Sequence, residues 1–438
     1  MIFAKLIARI FLLCAFFTAS AHAALPIQTW QSATGAKVYF VENHDLPILD
    51  VEVNFAAGSS FDHAEKAGLA AMTHGLLGLG AGGLGEDQIA NRFADIGAQM
   101  GGDFDMDRAA VSLRTLSSAR ERAAALELMA AIIQKPDFPA SVLEREKARA
   151  IAGLREAATQ PESIGAKAFT KALFGSHPYA LGADMEPETL EKITRDDMVA
   201  FYRSHYTRNT AVVAIIGDVT REQAEAIAAQ LTAELPQGAS AEIIPPVPLP
   251  DAAVEKRIPH PAEQSHILIG YPGMKRGDAD YFPLYVGNYI LGGGGFVAML
   301  TEEVREKRGL AYSVYSYFMP MREAGAFQIG LQTKRDQTDA ALGVVRETLN
   351  KFIQSGPTDA QLKAAKDNII GGFPLRMDSN GKILDYLSVI GFYGLPLTYL
   401  DDFNSKVGAV TAQQVKDAFA RRVQPDKMVT VIVGGGAK

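Results

Sequence analysis

Apolar and polar residues alternate over 37–42 and again over 49–56, the period of strands with one face buried. Over 69–77 and 126–133 the apolar positions recur at three- and four-residue intervals, which is helical spacing. Residues 212–216 form a short unbroken apolar run, read as a buried strand. Residues 296–307 read as a helix stopped by Gly309, and 311–318 as a strand after it. Strands separated by long helices predict α+β layers, with helices packed on a largely antiparallel sheet.

Parts of this pattern occur twice. The stretch from Ile193 and Thr194 to Gly217 parallels that from Val410 and Thr411 to Gly434 without a gap. Each is a capped amphipathic helix followed by an apolar strand that ends in glycine, with Thr194 and Thr411 as N-caps. Leu143, Lys147, Ile151 and Gly153 likewise match Leu362, Lys366, Ile370 and Gly372. The offset is about 217 to 219 residues, and a period this long means duplicated domains. Between the copies lies a proline-rich stretch over 245–250, a stiff, extended linker. The expected organisation is a leader over 1–23, a first domain over 24–240, a linker over 241–253 and a second domain over 254–438.

The leader changes the picture of the rest. Lys5 and Arg9 precede an apolar run over 10–17, and Ala21-His22-Ala23 is a small-x-small cleavage site. This is the pattern of a secretory signal peptide. Removing 23 of 438 residues would leave 415, and losing two cations with no acid moves the formal charge from −7 to −9. An acidic chain without basic clusters is not a nucleic-acid binder. No apolar segment is long enough to span a bilayer, so membrane insertion is not expected. The single cysteine, Cys14, lies in the leader without a small residue before it, against a lipoprotein anchor. The mature chain then has no disulfide, and the periplasm is the expected compartment.

The histidines are scattered. His44, His63, His177 and His205 offer no partner at i+3 or i+4, so no zinc site is visible among them. His74, on an otherwise apolar helix, reads as a hydrogen-bonded structural residue, or else a residual single metal contact. Glu144, Glu146 and Glu156 read as solvated helix residues, and Trp30 as structural. The glycine-rich run over 291–296 lacks phosphate-loop spacing and reads as a flexible loop. Arg305 and Tyr312 could be ordinary, since arginine suits a helix C-terminus and tyrosine suits a strand.

Five stretches in order carry a resemblance. They are residues 42–47 followed by 56–59, the segment 68–77, His177-Pro178-Tyr179, residues 201–219, and residues 305–314. Together they resemble the inverted-zincin metallopeptidases: pitrilysin, insulysin and the mitochondrial processing peptidase. The resemblance implies two homologous α+β domains that form half of a clamshell. The signature H-x-x-E-H of that family places two zinc ligands and a general base on one helix. Here those places read Ala71, His74 and Gly75, and Ala152-Gly153 falls where the third ligand is expected. Ala71, Gly75, Ala152 and Gly153 carry no donor for a metal, and His74 stands where a carboxylate base is wanted.

What the resemblance leaves in place is the pair Arg305 and Tyr312, which in such proteins binds the substrate backbone and helps to stabilise the oxyanion. It implies no enzyme in this chain alone, no cofactor here, and zinc in a homologous H-x-x-E-H partner. The expected role is the substrate-binding subunit of a heterodimeric metallopeptidase acting on peptides or unfolded proteins. A protease-derived scaffold or peptide-binding protein is the alternative. Whether a homodimer forms in isolation stays open. Tyr315 and Tyr317 read as packing or rim residues.

Overall fold

The computed structural model describes residues 26–238 and 242–434. The expected leader with Cys14, and the expected boundary at 240/241, lie outside the described residues. Strands β1 (Gln28–Gln31), β2 (Lys37–Glu42) and β3 (Ile48–Phe55) start the first half, and a small ribbon of β4 (Gly80–Ala81) and β5 (Leu84–Gly85) follows. Then come β6 (Gln99–Gly101), β7 (Ala109–Leu116) and β8 (Val212–Gly217). The first sheet has the order β1-β2-β8-β3-β7-β6. The second half supplies β9 (Val254–Ile258), β10 (Gln264–Pro272), β11 (Ala311–Phe318), β12 (Ala326–Lys334) and β13 (Val429–Val433), in the order β11-β12-β10-β13-β9. Each sheet is antiparallel except for one parallel pair, β2 with β8 and β9 with β13.

The two orders superimpose the halves strand on strand: β2-β8-β3-β7-β6 on β9-β13-β10-β12-β11. Details repeat as well. Thr194 accepts a hydrogen bond from the Asp197 N–H, and Thr411 one from the Gln414 N–H, each capping its helix. Gly217 and Gly434 both end their strands at positive φ, 144° and 99°. A Cβ on Gly217 would lie 2.2 Å from the Ile48 carbonyl oxygen, and one on Gly434 would lie 2.8 Å from that of Gln264. The glycines are required there by close backbone approach at the same corner of each sheet.

Each half covers the other's sheet. The helix Asn380–Tyr393 of the second half packs on β8, β3 and β2 of the first. Its Ile383, Leu384 and Leu387 form a buried cluster with Val41, Ala214 and Ile216. Reciprocally, the helix Pro161–Phe174 lies on β10 and β13. The ring of Phe169 fills the space beside Gly270, 2.3 Å from where a Cβ on that glycine would lie. Leu387 is fully buried in this contact, a contribution of about 2 kcal/mol by area.

This exchange corrects one expectation. The alternation over 49–56 predicts one buried and one solvated face, yet Asp50, Glu52 and Asn54 are buried as fully as their apolar neighbours. The second half's helix covers that face. Its polar residues find partners instead of water: Arg114 Nε donates to Asp50 at 2.6 Å, and Arg108 Nη1 donates to Asn54 at 2.7 Å.

The stretch over 242–250 has no regular structure, and its Ile244 and Val247 are buried in the first core. His177 Nε2 lies 2.7 Å from the Pro245 carbonyl oxygen and fastens it further. Trp30 lies in β1, edge-on to Phe40 with the Arg221 guanidinium over its ring. No helix among the described residues is long and apolar enough to cross a membrane.

Candidate functional site

The helix that resembles the metal-binding one is Leu69–Leu76. Buried Asp62 holds its start, accepting from the Gly68 N–H at 2.8 Å and the Ala70 N–H at 2.7 Å. Burial pushes the Asp62 carboxyl up to about 6. Ala71 is half-buried and Gly75 exposed, with open space where its side chain would be. Ala152 and Gly153 lie on the exposed side of the helix Ala140–Ala157, again facing open space at Gly153.

His74 differs from expectation. It makes no hydrogen bond through its buried Nδ1; it stacks on Phe104 with ring centroids 5.6 Å apart. Burial lowers its pKa, which keeps the ring neutral. It acts as a half-buried aromatic. Glu146 is also not a purely solvated residue: it is half-buried and accepts from Arg145 Nε at 2.8 Å. Other histidines are tied to other groups, His44 to Asp218 and Glu42, and His205 to the Ala56 carbonyl. Among the described residues no group of three or more His, Cys, Asp or Glu side chains is placed to hold a metal ion. A zinc ion does not fit the donor set of this helix pair.

Arg305 and Tyr312 do come together. The guanidinium carbon of Arg305 is 5.0 Å from the Tyr312 ring centroid and 4.9 Å from that of Phe296. Its Nε is 3.3 Å from Glu306, so the position is fixed by two rings and one carboxylate. Gly309, at φ 61°, ends the helical stretch, and an irregularity in pairing between Ala311 and Val314 turns Tyr312 out of the sheet. Tyr312 is 84% exposed. Its hydroxyl donates to no other described residue.

The flanking backbone departs from the expected one. The glycine-rich run is no loose loop: Tyr289–Gly293 is a wide π-type turn that continues the helix Tyr281–Asn288. Gly292 presses against Ser316, where a Cβ would lie 2.4 Å from Oγ. The expected helix over 296–307 begins only beyond Ala298, which is extended, and Thr301–Glu306 is again a wide turn. Wide turns of this kind frequently occur at functional sites.

A cavity of about 540 Å³ opens between these segments and β11. Arg305 and Tyr312 line it, with Tyr285, Tyr289, Phe296 and Arg376. Tyr315 and Tyr317, stacked at 5.9 Å, are also on its wall, and the Tyr315 ring lies across Gly330. Asn288 and Ser316 lock the wall by two reciprocal hydrogen bonds, 3.0 and 2.7 Å. Tyr285, Asn288 and Arg376 are not legible as site residues in the sequence. They come from segments outside 305–314, and only the folded chain brings them there.

Comparison with known proteins agrees with this fold. Residues 37–183 match the family model for insulinase, peptidase family M16, and residues 192–369 match that for the peptidase M16 inactive domain. A crystal structure of a peptidase M16 inactive domain from Pseudomonas fluorescens is 39% identical, with a TM-score of 0.91, over 94% of this chain and 99% of that one. The non-peptidase homolog YmxG of Helicobacter pylori is 26% identical over 94% of this chain and 95% of its own length. The periplasmic protease PqqL of Escherichia coli shares the fold, with a TM-score of 0.79 at 13% identity over 94% of this chain and 45% of that one. The chain belongs to the M16 peptidase family, as a member that lacks the residues of the zinc centre.

Proposed function

We propose that this chain is the non-catalytic, substrate-binding subunit of a heterodimeric periplasmic zinc metallopeptidase that cleaves peptides or unfolded proteins. A homologous H-x-x-E-H chain would hold the zinc and the general base. This chain would present Arg305 and Tyr312 across the closed cavity. A guanidinium braced by rings keeps several donors aimed in one direction, suited to peptide carbonyls. A phenol donates one hydrogen bond to charge that develops on an oxygen during hydrolysis. The leader pattern and the relation to a periplasmic protease support the compartment.

The observation that carries this reading is the placement of Arg305 against Tyr312 on a 540 Å³ cavity, with the Tyr312 hydroxyl given to no internal partner among the described residues. Tyrosine kept only for packing would be buried, as Tyr179 and Tyr206 are. The test is reconstitution with an H-x-x-E-H homologue from the same organism. Peptidase activity should appear on mixing that neither chain shows alone. A partner that is fully active by itself and gains nothing would favour the protease-derived scaffold.

A further inference from the structure

We propose that Arg376 is a specificity-determining residue that binds a carboxylate of the peptide held in the Arg305–Tyr312 cavity. The inference rests on the reading that a peptide occupies that cavity, and it adds the chemical class of that peptide.

Three observations converge. The first is the charge of the lining. Among the described residues, Arg305 and Arg376 are its only ionised side chains; the rest are aromatic, small or neutral polar. Burial pushes the phenols of Tyr285, Tyr315 and Tyr317 up, so they stay neutral. A purely cationic pocket stands out on a chain with 50 acidic and 43 basic residues.

The second is how Arg376 is held. It ends the short helix Phe373–Arg376, with its guanidinium carbon 6.0 Å from the Tyr285 ring centroid. Its side-chain partners are the neutral phenols of Tyr386 and Tyr285, and among the described residues no carboxylate pairs with it. Other cations of these segments do have carboxylates: Lys382 pairs with Asp378 at 2.8 Å, Lys307 with Glu303 at 2.7 Å and Arg308 with Glu303 at 2.6 Å. Asp378, two residues from Arg376, is turned to Lys382 instead. The Arg376 charge therefore borders the cavity without an anion to balance it.

The third is shape. Gly292 and Gly293 leave part of the wall without side chains, and each is pressed on its own neighbours, Ser316 and Asn288. A peptide main chain can approach that wall while one of its carboxylates reaches Arg376. A guanidinium takes a carboxylate by two parallel hydrogen bonds, stronger and more directional than any neutral contact the wall offers. The carboxylate can be an acidic side chain or the free C-terminus; the chemistry is the same.

Equilibrium binding of fluorescent peptides to the mature chain decides it. One sequence is compared in three forms: neutral and amidated, amidated with one internal glutamate, and neutral with a free C-terminus. At least one carboxylated form should bind roughly tenfold or more tightly than the neutral amide, as expected for one charge-assisted pair. Whichever form gains identifies the source of the carboxylate. The preference should disappear in Arg376→Gln and persist in part in Arg376→Lys. An Arg376→Gln protein with unchanged circular dichroism and melting temperature that keeps the preference overturns the proposal. So does a wild-type chain that binds all three forms alike, provided that binding is weakened by Arg305→Ala. Binding indifferent to Arg305→Ala, or no binding of any form, instead overturns the reading of the cavity as a peptide site, and the Arg376 assignment falls with it.

Discussion

The Tyr393 hydroxyl donates to Asp107 Oδ2 at 3.0 Å, and this bond joins the two halves at a residue with no exposed surface. Asp107 also accepts from the Tyr179 hydroxyl at 2.8 Å and from the Arg322 N–H at 2.7 Å, the latter again across the halves. Burial raises the pKa of this carboxyl, and the three donors work against that rise. Tyr393→Phe removes one donor from a buried acid and leaves the ring in place. It should lower the unfolding free energy by about 1.5–3 kcal/mol, the usual range for a hydrogen bond to a charged group. Urea unfolding with an unchanged slope checks it; a shift below about 0.5 kcal/mol would mean that this bond adds nothing to the joint between the halves.

His44 gives a pH dependence. Its ring lies between Asp218, with Nδ1 at 2.6 Å, and Glu42, with Nε2 at 2.8 Å. The hydrogen bond to Asp218 and then that to Glu42 raise its pKa above 6.5. A raised folded-state pKa means that the stabilisation is complete below the unfolded value and is lost as pH rises through the folded one. The His44 ring signals in an NMR titration should therefore move at a pH above 6.5. His44→Gln should flatten the pH dependence of melting in the range from 6.5 upward, where the raised titration of the ring falls. A wild-type midpoint at or below 6.5 would show that the two carboxylates do not act on the ring in solution.

Metal analysis tests the loss of the zinc centre. Ala71, Gly75, Ala152 and Gly153 supply no donor, and the His74 ring is stacked on Phe104. The mature chain, loaded with excess zinc and dialysed, should retain none in stoichiometric amount. One tightly held zinc per chain would reveal a ligand set elsewhere.

The sequence was most legible where local physics and duplication agreed. The capped helix before Gly217 and its copy before Gly434 recur in the fold down to single bonds. Lys147, matched to Lys366 by spacing alone, donates to the Glu191 carbonyl at 3.2 Å, and Lys366 donates to the Gly408 carbonyl at 2.8 Å. It was least legible where the halves meet. Nothing in the alternation of Asp50, Glu52 and Asn54 tells that a helix from more than 300 residues away covers them. The wide turns at Tyr289–Gly293 and Thr301–Glu306 were equally hidden; in the first, Gly292 is pressed on Ser316 of β11, a contact that no local pattern tells. For the candidate site, the resemblance singled out Arg305 and Tyr312, which the fold brings together on one cavity. Arg376 was not legible, because its approach to Tyr285 is purely tertiary.

The central claim is that this chain lends Arg305 and Tyr312 to a reaction whose metal sits in another chain. The most direct measurement is steady-state peptide hydrolysis by the reconstituted pair, with assembly checked by gel filtration. Tyr312→Phe deletes an exposed hydroxyl and leaves the ring that faces Arg305. It should reduce kcat roughly 100-fold with assembly intact, as for loss of one oxyanion donor. Arg305→Ala should also raise KM, since it removes contacts made before the transition state. Wild-type rates from both variants in an intact complex would contradict the claim and leave the pair as inherited structure on a scaffold.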